Sequence, residues 1–285
     1  MFPEQWRISI RGPVNSFIET LVTNYGFAFR AFAHSILQAI IFVETILRAT
    51  PWWILILIFM VLAWLGTRRV VVTITVGLLL LLIGVLGLWD LTMQTLALML
   101  IGTIVSILIG IPIGILAAKS RPFRNFALPA LDVMQTMPGF VYLIPVMMLF
   151  GLGKVPAVLA TIIYAVPPLI RLTDLGIRQV DAEVVEAATA FGGSPRQILW
   201  GVELPLAVPT IMAGLNQTIM MALSMVVVAS MIGARGLGEQ VLNGIQTLDV
   251  GKGLEAGIGI VVLAVVLDRI TQGFGRTRKS EQTNG

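Results

Sequence analysis

The chain has 285 residues, 57% of them hydrophobic and only 12% charged, with a net charge of +4. Soluble domains carry about 25% charged residues, so a soluble globule is excluded and an integral membrane protein is indicated. Runs such as VVVTITVGLLLLLIGVLGL do not alternate, which excludes a β-barrel; the spanning backbone must then be helical. The predicted class is an all-α membrane protein.

The chain contains no cysteine, so disulfides and thiolate chemistry are excluded. The single histidine, His34, lacks partner ligands and reads as structural or interfacial, and no metal site is expected. The first residues, MFPEQWRISIRGPV, lack an apolar core and a small-residue cleavage site and are read as retained. The basic balance is taken as a membrane-protein loop bias, not as a sign of nucleic-acid binding.

In chain order, residues 17–48 set Glu19, Arg30, Glu44 and Arg48 among Phe, Ile and Leu. This predicts one or two amphipathic helices along the membrane interface; the alternative is an extra span at 31–48. Seven spans are predicted after that, at 51–66, 70–88, 92–118, 129–150, 155–170, 206–232 and 254–272. The third carries Gly102, Ser106, Gly110 and Gly114 every four positions, continued by Ala118, which reads as a close-packing seam. The fifth is interrupted by Pro156, Pro167 and Pro168. Polar residues inside spans are few: Asp132 and Gln135 in the fourth, Asn216, Gln217 and Thr218 in the sixth, Asp268 and Arg269 in the seventh. Asn216 and Gln217 either bond between helices or line a translocation path.

Lys and Arg set the orientation. Arg68, Arg69, Lys119, Arg121, Arg124, Arg171, Arg178, Arg196 and the basic C-terminal cluster fall on one side. After the first fifty residues, only Lys154, Arg235 and Lys252 fall on the other. The first side is predicted to be cytoplasmic, with the N-terminus outside and the C-terminus inside.

No phosphate-binding glycine loop ending in Lys-Ser/Thr is present, and one histidine cannot build a hydrolytic triad. No span carries paired mid-membrane carboxylates, which argues against an ion-driven carrier. If ATP is used, another polypeptide hydrolyses it.

The segment EAATAFGGSPRQILWGVELP, residues 186–205, joins two spans on the cytoplasmic side. Asp181 is the predicted N-cap of a first helix, with Glu183 in its first turn. Gly192 and Gly193 supply a C-cap. Ser194-Pro195-Arg196-Gln197 is a capping box with proline at the first helical position. A second helix should end before Pro205. The hairpin would expose Ala187, Ala188 and Phe191. Physically it is either a docking knob for a soluble partner or a hairpin lying on lipid headgroups.

Glu186-Ala187-Ala188, Gly192 and Leu204-Pro205 resemble the EAA loop of ATP-binding-cassette (ABC) importer permeases, with Val202 where that pattern usually has Ile. Further stretches, LDVMQTMPGFVYLIPVMMLFGLG, IIYAVPPLIRLT and LPLAVPTIMAGLNQTIMMALSMVVVASMIGARGLGEQVLNGI, are similar to permeases of the glycine betaine/proline betaine (osmoprotectant) family. The resemblance implies a type I ABC importer permease fold over residues 92–271, with a coupling loop at about 171–205. It leaves 1–50 as an interfacial segment, 51–91 as two accessory spans and 272–285 as a cytoplasmic tail. It also implies a homodimer, two ATP-binding subunits that hold ATP and magnesium, and an extracytoplasmic substrate-binding protein. The expected coupling residues are Glu186, Ala187, Ala188, Phe191, Gly192, Leu204 and Pro205. The expected path residues are Asn216, Gln217, Phe140, Tyr142 and Tyr164, with Phe150 as a further aromatic candidate. Related importers carry betaines, choline, carnitine or similar amines; the rivals are an importer of other small solutes and an ATP-independent carrier.

Overall fold

The computed structural model describes Ser9 and residues 11–283, with side chains to Gly275. The rest of the N-terminal stretch read as retained lies outside the described residues. Every element described is a helix. The first, α1, is one unbroken helix over Arg11–Ala49, where one or two were expected. Its only early breakers, Gly12 and Pro13, sit in the first turn, where proline is tolerated. By length and composition α1 could cross a bilayer.

Two apolar helices follow, α2 (Trp52–Thr67) and α3 (Val70–Val85). Each has 16 residues, about 24 Å at 1.5 Å per residue, shorter than a typical hydrocarbon core. Arg68 closes α2 in a left-handed conformation, with its N–H bonded to the carbonyl of Trp64. The long helix α4 (Trp89–Lys119) contains Pro112 and ends at Lys119.

The predicted fourth span is a bent pair. Helix α5 (Arg121–Thr136) and helix α6 (Gly139–Phe150) meet at 99°. Met137-Pro138 sets the bend, because the residue before proline is pushed into extended backbone, and Met137 has ψ 133°. Pro138 cannot donate to the carbonyl of Met134; the Tyr142 hydroxyl donates to that oxygen instead, at 2.5 Å. A hydropathy window averages across such a break, which is why one span was expected over 129–150.

Helix α7 (Lys154–Arg178) runs through Pro156, Pro167 and Pro168 and reaches eight residues past the predicted end of the fifth span. Its burial explains this: Leu169 is fully enclosed and Ile170 and Ile177 are buried. Packing on all sides holds a helix that its prolines alone would break. The small residues of α4 face α7. At Gly114 an added Cβ would meet the Thr173 Cβ at 2.5 Å and the Ile170 carbonyl at 2.8 Å. In lipid, where apolar surface has no water to escape, such close backbone approach is what drives helix association.

The remaining helices are α8 (Ala182–Ala190), α9 (Pro195–Ile198), α10 (Leu204–Ser230), α11 (Leu237–Thr247) and α12 (Val250–Thr283). The stretch expected as a tail from residue 272 continues α12. Helix α10 packs on α7 and α12, so α4, α7, α10 and α12 form the centre of the bundle. At one end of the bundle, the Leu237 N–H donates to Thr95 Oγ1 at 2.9 Å and fixes α11 on α4.

That same end carries α1. Phe29 and Phe32 contact Phe150, Glu44 pairs with Lys154, and Arg48 pairs with Asp90 at 2.6 Å. Phe150, Lys154 and Asp90 lie at the ends of α6, α7 and α4 respectively. Phe150, a candidate path aromatic, is therefore packed against α1.

Candidate functional site

The α8–α9 hairpin lies at the opposite end of the bundle. Asp181 caps α8, its Oδ1 accepting from the Glu183 N–H at 2.9 Å. Gly192 turns the chain with φ +82°, a region open to glycine at little cost. The Gly193 N–H then donates to the carbonyl of Ala188 at 3.1 Å. The capping box is present: Gln197 Oε1 accepts from the Ser194 N–H at 2.9 Å, and Ser194 Oγ accepts from the Gln197 N–H at 3.4 Å.

The second arm differs from expectation. It does not end before Pro205. A π turn over Leu199–Glu203 joins α9 to α10, and the Leu204 N–H donates five residues back to the Leu199 carbonyl. The register shift leaves room for the proline ring beside the Gly201 carbonyl, where an α-helix would place a clash. The second arm of the hairpin is thus the first part of one helical path from Pro195 to Ser230.

No residue of α8 is buried. Glu186, Ala187 and Gly192 are exposed and Ala188 and Leu204 half-buried. Phe191, at 93% exposed, extends a large apolar ring away from the protein. Burying such a ring stabilises an assembly by about 1.5–3 kcal/mol. Pro205 is exposed at the start of α10.

Beneath the hairpin lies a network of charges. Glu203, in the π turn, is 7% exposed and pairs with Lys119 at the end of α4. Asp174 of α7 is 3% exposed; its Oδ2 accepts from Arg124 Nε at 3.2 Å and from Arg178 Nε at 3.3 Å. Arg171 pairs with Asp132. Lys119, Arg124, Arg178, Glu186 and Glu203 share the lining of a cavity of about 510 Å³. Sequence reasoning missed Glu203 and Asp174 as functional candidates. The available signal was an acidic residue two places before Pro205 and another set between Arg171 and Arg178.

A larger cavity, about 890 Å³, opens between α7, α8, α10 and α12. Asn216 and Gln217 line it. Asn216 Nδ2 donates to Asp268 Oδ1 at 2.9 Å, and Asn216 Oδ1 accepts from the Thr271 hydroxyl at 2.6 Å. Gln272 Nε2 also donates to Asp268 Oδ1. The expected aromatics lie elsewhere: Phe140 is exposed on α6, Tyr142 is 8% exposed with its hydroxyl engaged, and Tyr164 packs beside a core cluster. The structure brings Asn216 and Gln217 together and does not bring Phe140, Tyr142 and Tyr164 to that cavity. Among the described residues no cluster of His, Asp or Glu is arranged to hold a metal.

The described residues form a bundle of apolar helices with an exposed, capped hairpin whose second arm runs directly into a central helix. Residues 110–279 match the binding-protein-dependent transport system inner membrane component family, and the chain belongs to it. It is similar to the glycine betaine transport system permease protein OpuAB of Bacillus subtilis, 46% identical over 96% of this chain and 97% of that protein. It is also similar to the glycine betaine/proline betaine permease ProW of Escherichia coli, 51% identical over 83% of this chain and 67% of that protein. The fold is that of type I ABC importer permeases. It is similar to the MetNI methionine ABC transporter in inward-facing conformations (TM-score 0.57, 22% identity, 68% of this chain, 95% of that chain). The protein is a multi-pass inner-membrane transport subunit.

Proposed function

We propose that this chain is the permease subunit of an ATP-driven importer of glycine betaine- or proline betaine-like methylated amines. It acts as a homodimer, served by two ATP-binding subunits and an extracytoplasmic binding protein. The observation that carries the reading is the α8–α9 hairpin, with its bare Phe191 and its unbroken helical continuity into α10. Glu186, Ala187, Ala188, Phe191 and Gly192 form the docking face for the ATPase subunit, and Leu204 and Pro205 pass its motion into α10. Similarity to permeases named for glycine betaine and proline betaine supports the substrate class. Asn216 and Gln217 line the path for cargo; partners that bind the inward- and outward-open states unequally shift the chain between them, and ATP hydrolysis by the partner subunits drives the cycle.

The complete complex in liposomes is expected to accumulate glycine betaine only with ATP, its ATPase subunits and its binding protein present. The chain alone should accumulate none. Accumulation by the chain alone would replace this reading with an ATP-independent carrier.

The hairpin end faces the cytoplasm. Arg68, Arg69, Lys119, Arg121, Arg124, Arg171, Arg178 and Arg196 support this by the positive-inside bias. Helix α1 then lies along the outer surface, its contacts with Phe150, Lys154 and Asp90 all falling at that end. A C-terminal reporter should be active only in the cytoplasm, and periplasmic activity would invert the topology.

A further inference from the structure

The Glu203–Lys119 pair offers a second route for motion out of the hairpin. Covalent continuity carries any displacement of α9 into α10. The π turn that makes this connection interrupts the four-residue hydrogen-bond ladder of the path, and single-turn π-bulges of this kind recur at functional sites. Glu203 occupies the last position of that turn. Its carboxylate is buried, and a buried charge must be paired. Its partner, Lys119, is 84 residues away in sequence and is the last residue of α4. Ser120 alone separates it from α5, whose Arg124 reaches Asp174 on α7. The charges therefore form a chain: Glu203 to Lys119 at the end of α4, across Ser120 to Arg124 on α5, and from Arg124 to Asp174 on α7, where Arg178 of the same helix also pairs.

We propose that Glu203 is a positioning residue for transport coupling: through Lys119 it ties the π turn to α4, so that α4 and α10 move together when the hairpin is displaced. The proposal rests on the reading of the hairpin as the ATPase docking element. Without the pair, the π turn would absorb part of the displacement, and ATP would be hydrolysed with less movement of α4.

The test uses the complete transporter in liposomes and reads the ratio of glycine betaine taken up to ATP hydrolysed. Glu203→Gln should lower that ratio about fivefold or more, the lower edge of ordinary coupling between sites. Lys119→Met removes the same bond from the more exposed partner and should do likewise, which keeps the test usable if Glu203→Gln assembles poorly. The charge-reversed double variant Lys119→Glu/Glu203→Lys should recover at least half of the lost ratio. A purely structural role would reduce the amount of assembled transporter and scale uptake and hydrolysis together, leaving the ratio unchanged. An unchanged ratio in Lys119→Met, or a double variant no better than either single one, overturns the proposal. Gly192→Asp measured alongside separates the two failures. If Gly192→Asp abolishes uptake and its coupled hydrolysis while Lys119→Met leaves the ratio unchanged, only the strut is lost. If neither has an effect, the docking reading falls with it.

Discussion

Gly192→Asp is expected to leave the protein folded in the membrane and to abolish transport-coupled ATP hydrolysis. The two halves of that result have separate causes. Gly192 has φ +82°, and a Cβ built there meets nothing within 4 Å. The folding cost is therefore conformational and not steric. Aspartate is among the residues that enter the left-handed region most readily, so the cost to this chain should be about 1 kcal/mol. The functional cost arises outside the chain, at the surface that docks on the hairpin. A carboxylate buried there without a partner costs about 2–5 kcal/mol, roughly 30-fold or more in docking affinity. Gly192→Ala is the control. It carries the larger backbone strain, about 1–2 kcal/mol, but no charge, and should keep more coupling than Gly192→Asp. Liposomes containing the Gly192→Asp complex with unimpaired substrate-stimulated ATP hydrolysis would remove the hairpin from the mechanism. The opposite order of the two variants would show that the turn's conformation, not a docked surface, governs the effect.

The caps of this hairpin were legible because they are local. Asp181, Gly192 and the Ser194–Gln197 box each act over two to five residues, and single-residue chemistry decides them. What sequence reading missed is non-local or depends on competition. Pro205 was taken as a helix stop, but a π turn upstream accommodates the ring and lets α10 begin at once. Pro167 and Pro168 were read as interruptions, yet enclosure of α7 by its neighbours outweighs the bonds they delete. The dipeptide Met137-Pro138 carried the signal for the 99° bend, and apolar residues on both sides concealed it. The ion pairs Glu203–Lys119 and Glu44–Lys154 join residues 84 and 110 positions apart, and no single sequence announces such pairings. Asn216 was visible as a polar residue in a span. Its partners Asp268 and Thr271, 52 and 55 residues on, were not assigned to it.

Alanine replacements along the small-residue seam of α4 should rank by position, with Gly114→Ala the most damaging. On an isolated helix all three would be favourable, since alanine exceeds glycine in helix propensity by about 1 kcal/mol. Packing against α7 reverses this by degrees. At Gly102 the nearest neighbour is the Thr161 methyl at 3.7 Å, an ordinary contact, so Gly102→Ala should be neutral or slightly stabilising. At Gly110 the Leu169 methyl lies at 3.0 Å; it ends a flexible side chain but has little room, because Leu169 is fully buried. At Gly114 the opposing atoms are the Thr173 Cβ at 2.5 Å and the Ile170 carbonyl oxygen at 2.8 Å. Neither is the far end of a side chain, so the helices themselves must separate. Overpacking of this kind costs about 1–3 kcal/mol. Thermal unfolding in detergent should therefore place Gly102→Ala at or above the parent, Gly110→Ala below it and Gly114→Ala lowest. Equal midpoints across the three would mean that α4 and α7 are not held at this spacing. The graded order would locate the tightest approach at the end of the seam nearest Lys119, where α4 meets the charges beneath the hairpin. Separation of the helices there should lower uptake along with stability, whereas Gly102→Ala should leave both intact.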